Sequence, residues 1–307
     1  MFVTCECVWC IGPRHAFQSS GPVTIVPVVK FMYWFEDKLH NRFQSTSYDN
    51  VSSSFKEIKM GVPQGSVLGP LLFLIFINDL PNVSKLLNTI LFADDATMSI
   101  CGKNPTMLVN IANNEMYKFY LWCNSNRLTV NTLKTFFVLF SNRRSRNLPP
   151  LVIKSNVNYD VIKQVNSTKF LGVHYDSDMS FKSHIIYLSQ RLSRISALLF
   201  KAQSLMPQLI LNILYHAHVS SALNYCNKIW SNTYQSHLNP LVTLQKRIIR
   251  ILTNSEYLAH TPPLFKQTNI LCIEKLRKYH LGLYFFKKPY FSSAPISKSS
   301  QSFYSKL

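Results

Sequence analysis

The chain has 307 residues, 47% of them hydrophobic, and carries 33 Lys and Arg against 14 Asp and Glu, a net charge of +19. This composition excludes a wholly disordered chain, and the length allows one large or two smaller domains. Most of the positive charge lies in residues 146–307, which hold 20 basic and 5 acidic residues. The charge therefore predicts a polyanionic partner, either nucleic acid or, as the alternative, an anionic membrane surface.

The apolar runs and the cysteines predict a location. The run at residues 67–77 has 11 residues and contains Gly69 and Pro70, so it is too short to cross a bilayer. The seven cysteines are odd in number and scattered, which does not favour a disulfide framework. We therefore expect an intracellular protein of the nucleus or cytoplasm that is neither secreted nor bound to a membrane.

Residues 1–30 match no pattern that assigns them a role. Cys5, Cys7, Cys10 and His15 are possible zinc ligands, but their spacing fits no common zinc site. The segment is interpreted as an unassigned N-terminal extension. Beyond it, apolar residues at helical spacing predict a short amphipathic helix in residues 31–39.

A loop with the sequence Gly-Val-Pro-Gln-Gly-Ser occupies residues 61–66. Gly61 and Gly65 permit a positive φ and close backbone approach, whereas Pro63 fixes its own φ and donates no hydrogen bond. The apolar segment that follows ends near Pro81, and we expect it to form a buried helix.

Asp94 and Asp95 lie between two strand-like runs, residues 89–92 and 96–100, with room for only a tight turn. Like charges held close together are unfavourable unless a cation or hydrogen-bond donors offset them. Oxygen ligands suit Mg²⁺, and phosphoryl transfer commonly uses such a site. An acidic pair also forms ordinary polar turns, so the pair alone leaves both interpretations open.

Together, the loop at residues 61–66 and the segment Phe92-Ala93-Asp94-Asp95 resemble the paired palm motifs of reverse transcriptases, specifically those of non-LTR (LINE-type) retrotransposons. The two motifs occur in the order found in that family. The resemblance begins near residue 31 and extends to about residue 288.

The resemblance implies an α+β fold. It implies a partial right-hand polymerase palm in residues 31–185, followed by a mainly helical, thumb-like region in residues 186–288. The Ser-rich residues 289–307 are expected to form a disordered tail. The implied reaction is RNA-directed DNA synthesis with Mg²⁺. The implied partners are an RNA template, a DNA primer and deoxynucleoside triphosphates, without a membrane; the oligomeric state is not predicted.

The resemblance also implies roles for individual residues. Asp94 and Asp95 would be catalytic metal ligands, and Lys134 would stabilise or protonate the leaving pyrophosphate. The implied nucleotide- and template-binding residues are Gly61, Pro63, Gln64, Gly65, Phe92 and Ala93. The implied primer grip, a hairpin that positions the primer 3′ end, comprises Phe170, Leu171 and Gly172.

Basic residues beside apolar helical stripes are expected to contact the nucleic-acid backbone, although such residues often form only a solvated face. These residues are Arg191, Arg194, Lys246, Arg247 and Arg250. His184 receives no catalytic role, because a single histidine without a partner is usually structural.

The sequence lacks one feature of the family that it resembles, the strand with the first metal-binding aspartate. In the family, a strand with the first metal-binding aspartate lies upstream of the loop, yet this chain has no aspartate before Asp37. Glu6 lies in a strand-like run, but the residues around it lack the family pattern, which does not favour it as a replacement. Two-metal catalysis needs carboxylates from both sides. The sequence thus predicts that the first palm strand and the fingers are missing.

We therefore expect the chain alone to be a truncated copy that is inactive or nearly so, with an incomplete two-metal site. One alternative is a remnant that binds nucleic acid without chemistry through its basic C-terminal half. The other is a pseudogene product that folds poorly.

Overall fold

The computed structural model describes residues 2–8, 33, 41–58, 62, 65–141, 148–154 and 159–286. The chain forms two compact units, residues 1–166 and residues 167–307. This division places the predicted primer grip in the second unit, whereas the sequence analysis assigned it to the palm. Only residue 33 of the helix predicted in residues 31–39 is described, and the predicted disordered tail lies outside the described residues.

The elements whose bounds the structure describes in the first unit are ten strands, two helices and one 3₁₀ turn at Leu80–Val83. The strands are β1 (Phe2–Val8), β2 (Phe43–Gln44), β3 (Ser47–Tyr48), β4 (Val51–Ser52), β5 (Lys56–Glu57), β6 (Asn88–Phe92), β7 (Asp95–Ser99), β8 (Thr129–Val138), β9 (Leu151–Lys154) and β10 (Tyr159–Gln164). The helices are α1 (Leu68–Ile77) and α2 (Pro105–Ser125).

Six of these strands form one sheet in the order β6-β7-β1-β8-β10-β9. Neighbouring strands are antiparallel except for β8 and β10, which are parallel. The core of this unit lies between the sheet and α2, where burial of apolar side chains supplies the main stabilising free energy. Its buried members include Ala96, Met98, Val109, Ala112, Met116, Phe119, Cys123, Phe137, Ile153 and Ile162.

Strand β1 differs from the sequence-based expectation. Residues 1–30 were interpreted as an unassigned extension, yet residues 2–8 pair with β7 on one side and with β8 on the other. The run Phe-Val-Thr-Cys-Glu-Cys-Val has the β-branched and aromatic composition that favours strands. Because a central strand satisfies its backbone groups on both sides, these residues complete the sheet.

Helix α2 has a defined start and end. The side chain of Asn104 accepts hydrogen bonds from the backbone N–H groups of Thr106 (3.0 Å) and Met107 (3.4 Å), which caps the first turn. At the other end, Arg127 adopts φ 55° and the N–H of Leu128 donates to the carbonyl of Cys123 (2.8 Å). This is the Schellman arrangement, with arginine at the left-handed position that glycine usually occupies.

Helix α1 corrects the expectation of a buried helix. It buries one side, represented by Phe73 and Ile77, but leaves Leu71, Leu74 and Ile75 more than half exposed within the described part of the chain. A continuous apolar run predicts a helix correctly but does not show which face packs, because every position carries the same signal.

The second unit is mainly helical. After the hairpin of β11 (Ser167–Phe170) and β12 (Val173–Asp176), its helices are α3 (Lys182–Ala202), α4 (Gln208–Leu214), α5 (Ser221–Asn224), α6 (Asn227–Trp230), α7 (Gln235–Leu252), α8 (Thr261–Gln267) and α9 (Ile273–Phe286). The six residues Tyr215–Ser220, between α4 and α5, form a π-helical turn. The mixture of sheet and helix confirms the predicted α+β class. None of the helices in the described ranges has the length and apolarity needed to span a bilayer.

Gln245 anchors three parts of this helical unit. Its side chain is 1% exposed, and its Nε2 donates to Tyr215 Oη (3.2 Å) and to the carbonyl of Leu271 (3.0 Å). Its Oε1 accepts from the backbone N–H of Ile273 (2.9 Å). Burial raises the pKa of Tyr215 to about 12. One buried amide thus connects α7, the π-helical turn and the start of α9.

Candidate active site and nucleic-acid interface

The two aspartates lie at the tip of the β6–β7 hairpin, as the sequence predicts. Phe92 pairs with Asp95, so Ala93 and Asp94 form a two-residue turn. Ala93 has φ 50°, in the left-handed region that non-glycine residues rarely adopt, whereas Asp94 has no positive φ. A non-glycine residue in this region costs roughly 1–2 kcal/mol, and such local strain often accompanies functional sites.

The side chains of Asp94 and Asp95 are exposed. A donor set that contains only carboxylate oxygens fits Mg²⁺. Among the residues whose side chains the structure describes, no three His, Cys, Asp or Glu residues form a group suited to a metal ion. An acidic residue on a neighbouring strand would add a carboxylate to this pair.

The sheet register supplies a position for that acid. Asp95 of β7 lies opposite Glu6 of β1, and Glu6 in turn lies opposite Asn131 of β8. Opposed Cα atoms in antiparallel strands are about 5 Å apart. Phe92, Asp95, Glu6 and Asn131 thus form one row across four strands. The sequence analysis expected the first palm strand to be missing, and the structure places a strand with an acidic residue beside β7.

Lys134 lies in an irregular segment of β8, where the pairing with β1 shifts register next to the row that contains Glu6 and Asn131. Residues 132–135 of β8 stand opposite the single residue Cys5, because Thr4 pairs with Phe136 and Glu6 with Asn131. The backbone N–H of Lys134 donates to Asn131 Oδ1 (3.3 Å). Bulges of this kind often redirect side chains beside active sites, and Lys134 is exposed.

The loop at residues 61–66, which is predicted to bind nucleotide, is described only in part. Gly65 has φ 79°, in agreement with the predicted need for glycine, and Ser66 Oγ accepts from the N–H of Gly69 (3.1 Å) at the start of α1. Gly61, Pro63 and Gln64 lie outside the described residues, so their predicted roles stay predictions.

The predicted primer grip is a tight hairpin in the second unit. Phe170 pairs with Val173, and the turn residues Leu171 and Gly172 have φ 44° and 84°, as a type I′ turn requires. The hydroxyl of Tyr225 donates to the carbonyl of Leu171 (2.5 Å). A Cβ atom on Gly172 would lie 3.2 Å from Tyr225 Cε1, so the close approach of this tyrosine favours glycine.

His184 lies beside this hairpin and is 2% exposed. Its ring neighbours are His174, Tyr187 and Trp230, with centroids 5.7 to 6.1 Å away. Burial, reinforced by the charge of His174, lowers the pKa of His184 to about 4. The imidazole is therefore neutral at pH 7, and its packing agrees with the structural role that the sequence analysis favoured.

The basic residues predicted to contact nucleic acid do not share one surface. Arg191 lines a cavity of about 300 Å³ beside the β11–β12 hairpin, whereas Arg194 is exposed and donates to the carbonyl of Gln190 (3.4 Å). The remaining three line two other cavities of the second unit. Lys246 and Arg250 line one of about 670 Å³, and Arg247 and Arg250 line one of about 260 Å³.

Arg250 is also held by the fold, because its Nε donates to the carbonyl of Ala259 (2.9 Å). None of the three cavities has an Asp or Glu among its described lining residues. Each cavity therefore presents cations without an acid in its described lining, a charge balance suited to an anionic group.

An acidic hairpin at one edge of a mainly antiparallel sheet, backed by a helix and followed by a basic helical unit, is an arrangement expected of a nucleic-acid polymerase. Residues 11–175 match the family model described as reverse transcriptase (RNA-dependent DNA polymerase). The match covers more than half of the chain, and the chain belongs to this family. The matched region begins after β1 ends at Val8.

The curated proteins that the chain resembles are reverse transcriptases of mobile elements. The chain is 25% identical over 273 residues to a probable RNA-directed DNA polymerase from transposon X-element of Drosophila melanogaster, covering 87% of this chain and 29% of that protein. It is 27% identical over 267 residues to the RNA-directed DNA polymerase from mobile element jockey of the same species, covering 83% and 28%. A probable RNA-directed DNA polymerase from transposon BS, also from D. melanogaster, is 26% identical over 289 residues, covering 90% and 31%.

These matches confirm the predicted resemblance to reverse transcriptases of non-LTR retrotransposons. The chain spans less than a third of the length of each of these three relatives.

The sequence does not favour Glu6, and it places Lys169 only within the segment that resembles a primer grip. The signal for Glu6 was the strand-like composition of β1, but composition does not say which strands will flank a segment. Lys169 carries no local signal, because its position beside Arg191 arises from the packing of a hairpin on a helix.

Proposed function

We propose that the six-stranded sheet is the palm of an RNA-directed DNA polymerase of a non-LTR retrotransposon, and that the helical second unit is its thumb-like region. The observation that carries the proposal is the row in which Asp95 of the acidic hairpin faces Glu6, in a chain that belongs to the reverse transcriptase family. The substrates would be an RNA template, a DNA primer and deoxynucleoside triphosphates. The primer 3′ hydroxyl attacks the α-phosphate, and pyrophosphate leaves.

The family implies a divalent metal, and Mg²⁺ fits the oxygen-only donor set. When bound, the metal supplies charge neutralisation at the phosphates and lowers the pKa of the attacking hydroxyl. Asp94 and Asp95 provide carboxylates from the hairpin, and Glu6 provides a third from β1. Lys134, in the bulge beside the same row, donates positive charge or a proton to the leaving pyrophosphate.

Glutamate at position 6 also gives a physical reason for low activity. Its carboxylate extends one methylene farther from the backbone than that of the aspartate found in the family. Catalytic groups must be held within about 0.5 Å of the productive geometry. The expectation that this chain alone is inactive or nearly so therefore stays a prediction, and it is linked to a single residue.

Primer extension on an RNA template with Mg²⁺ tests the proposal. We compare the purified chain with Glu6→Asp, Glu6→Gln and Asp94→Ala, and with a version carrying a grafted first palm strand and fingers. We expect little or no extension by the native chain, an increase with Glu6→Asp or the graft, and loss of that increase when Asp94→Ala is added.

Glu256→Gln, at an exposed position in the second unit, is the control for loss of one negative charge. Extension that survives Asp94→Ala would refute the hairpin as the metal site. Equal extension by Glu6→Asp, Glu6→Gln and the native chain would remove Glu6 from the site but leave the hairpin assignment intact.

A second candidate function is nucleic-acid binding without chemistry. Residues 167–286 hold 13 Lys and Arg against 4 Asp and Glu, and the three cavities of this unit combine cations with an absence of acids among their described lining residues. Such binding releases counterions, so its affinity must fall as salt rises. Affinity for a primer–template duplex that does not change with salt would rule this function out.

A further inference from the structure

We infer that helix α4 and the turn before it form a contact surface through which two copies of this chain associate as a dimer. The surface, named here the apolar stripe, consists of exposed apolar side chains within residues 205–213. Its members are Leu205, Met206, Leu209, Ile210 and Ile213. The inference does not depend on polymerase chemistry at the acidic hairpin or on nucleic-acid binding.

Helix α4 carries apolar residues on more than one side. Its sequence is Gln-Leu-Ile-Leu-Asn-Ile-Leu. Leu211 is 2% exposed and belongs to the core of the second unit, and Leu214 packs against that core. Leu209 and Ile213 are nevertheless 70% and 55% exposed. A helix that is apolar all round is normally buried all round, so the outer side of α4 is suited to contact with another surface.

The apolar stripe has the continuity and size of an interface core. Ile213 follows Ile210 by three residues and Leu209 by four, so these side chains are neighbours on the helix surface. Leu205 and Met206 belong to the turn that leads into α4. At roughly 60–120 Å² for each large side chain, the stripe presents on the order of 300–500 Å² of apolar surface. A standard interface buries about 800 Å² on each partner, a little more than half of it apolar.

Charge favours a second copy of the chain over a nucleic acid as the occupant. Residues 202–227 contain no Lys, Arg, Asp or Glu, although the whole chain has a net charge of +19. A surface without cations does not attract phosphates. Two copies repel each other through their basic surfaces, so an uncharged surface is where they approach at the lowest electrostatic cost.

The apolar stripe is also self-complementary. In a twofold dimer both copies contribute the same surface, so α4 of one copy would lie against α4 of the other. Apolar side chains from both helices would then interdigitate, as in ordinary helix packing. The cores of homodimer interfaces are more apolar than the rest of a protein surface. The dimer would thus cover the outer side of α4.

Sedimentation velocity of the nuclease-treated full chain, over a wide range of protein concentration, tests the inference. We expect the mass to rise from that of one chain to that of two as the concentration increases. Leu209→Glu and Ile213→Glu should each raise the dissociation constant of the dimer on the order of 100-fold or more, because each substitution changes both copies. Leu209→Gln, which adds no charge, should act in the same direction.

Salt gives an independent readout. Rising salt screens the repulsion between two basic copies, so an apolar contact should persist or become stronger. A dimer that dissociates as salt rises would be held by charge, which would contradict the apolar stripe. Nuclease treatment removes nucleic acid that could bridge two basic chains.

Leu258→Glu is the matched control, because Leu258 is 84% exposed in the same unit and lies outside the apolar stripe. The control should leave the dissociation constant unchanged. A native chain that stays monomeric at every concentration would overturn the inference. A dimer that survives Leu209→Glu and Ile213→Glu, or that Leu258→Glu weakens equally, would overturn it as well. Circular dichroism of each variant separates lost association from lost folding.

Discussion

Asp95, the first residue of β7, lies directly opposite Glu6 of β1, so two acidic residues from separate strands share one row of the sheet. Like charges placed directly opposite each other destabilise a strand pair. A divalent cation offsets this cost when it binds both. The stability of the sheet should therefore depend on the metal.

We expect Glu6→Gln to raise the melting temperature in the absence of divalent metal and to reduce the increase that Mg²⁺ produces in the native chain. Thermal unfolding with and without Mg²⁺ measures both effects. Glu256→Gln should change neither. If Glu6→Gln responds to Mg²⁺ as the native chain does, Glu6 does not take part in metal binding.

Replacement by alanine should change the free energy of unfolding in opposite directions at two glycines of the second unit. Gly172 has φ 84° and a tyrosine atom 3.2 Å from the position of a Cβ. A Cβ on Gly282 in α9 would have no described atom within 4 Å apart from its own helix backbone and chain neighbours. We expect Gly172→Ala to lower the free energy of unfolding by roughly 1–2 kcal/mol, the cost of a left-handed non-glycine residue.

Gly282→Ala should instead raise the free energy of unfolding by roughly 0.5–1 kcal/mol, because alanine loses less backbone entropy than glycine in a helix. Urea unfolding of the two variants measures both values. A Gly172→Ala variant as stable as the native chain would show that the hairpin does not keep its type I′ turn.

Gln245 should be essential for the stability of the helical unit. Replacement by leucine leaves the hydroxyl of Tyr215, the carbonyl of Leu271 and the N–H of Ile273 without this partner. Each unsatisfied buried group costs about 1–3 kcal/mol, so we expect Gln245→Leu to lower the free energy of unfolding by at least that amount in denaturant titrations. Gln208→Leu, at an exposed position, should stay within about 0.5 kcal/mol of the native chain.

His184 should make stability depend on pH. Burial lowers its pKa in the folded chain from 6.5 to about 4, so the unfolded chain binds a proton at a higher pH than the folded chain. The free energy of unfolding that the buried, neutral His184 contributes is complete above pH 6.5. It is lost as the pH falls from 6.5 towards about 4. Nearby His174, whose pKa burial and Lys169 lower, acts in the same direction.

His184→Asn keeps an acceptor for the His174 N–H and removes this titration. The free energy of unfolding, measured across this pH range, should fall less steeply for His184→Asn than for the native chain. His260→Asn, at an exposed position, is the control. Identical slopes for His184→Asn and the native chain would mean that His184 is not buried in its neutral form.

Part of the candidate site could be predicted because its signals are local. The hairpin with Asp94 and Asp95 is bounded by strand-forming residues on both sides, and the structure confirms it within one residue at each end. The helical character beyond residue 185 follows from apolar stripes at helical spacing, and α3 begins at Lys182. The need for glycine at position 65 is likewise met by a positive φ angle.

Other features depend on which segments meet, and local composition does not carry that information. A strand-like run at residues 2–8 was visible, but its location between β7 and β8 depends on hydrogen bonding to residues about 90 and 130 positions away. The basic residues of α7 look alike in the sequence. Arg247 and Lys246 nevertheless line different cavities, because the segments packed beside α7 differ.

The sequence by itself determined the class of this protein, because the motif around the two aspartates and the basic composition are properties of the chain that need no contacts. Only the tertiary structure decided that Glu6 lies opposite Asp95 and that Lys169 joins His184 and Arg191 around one cavity. The physical reason is that ladder pairing and side-chain packing select partners by shape and hydrogen bonding over long sequence separations, whereas periodicity and propensity act within a few residues.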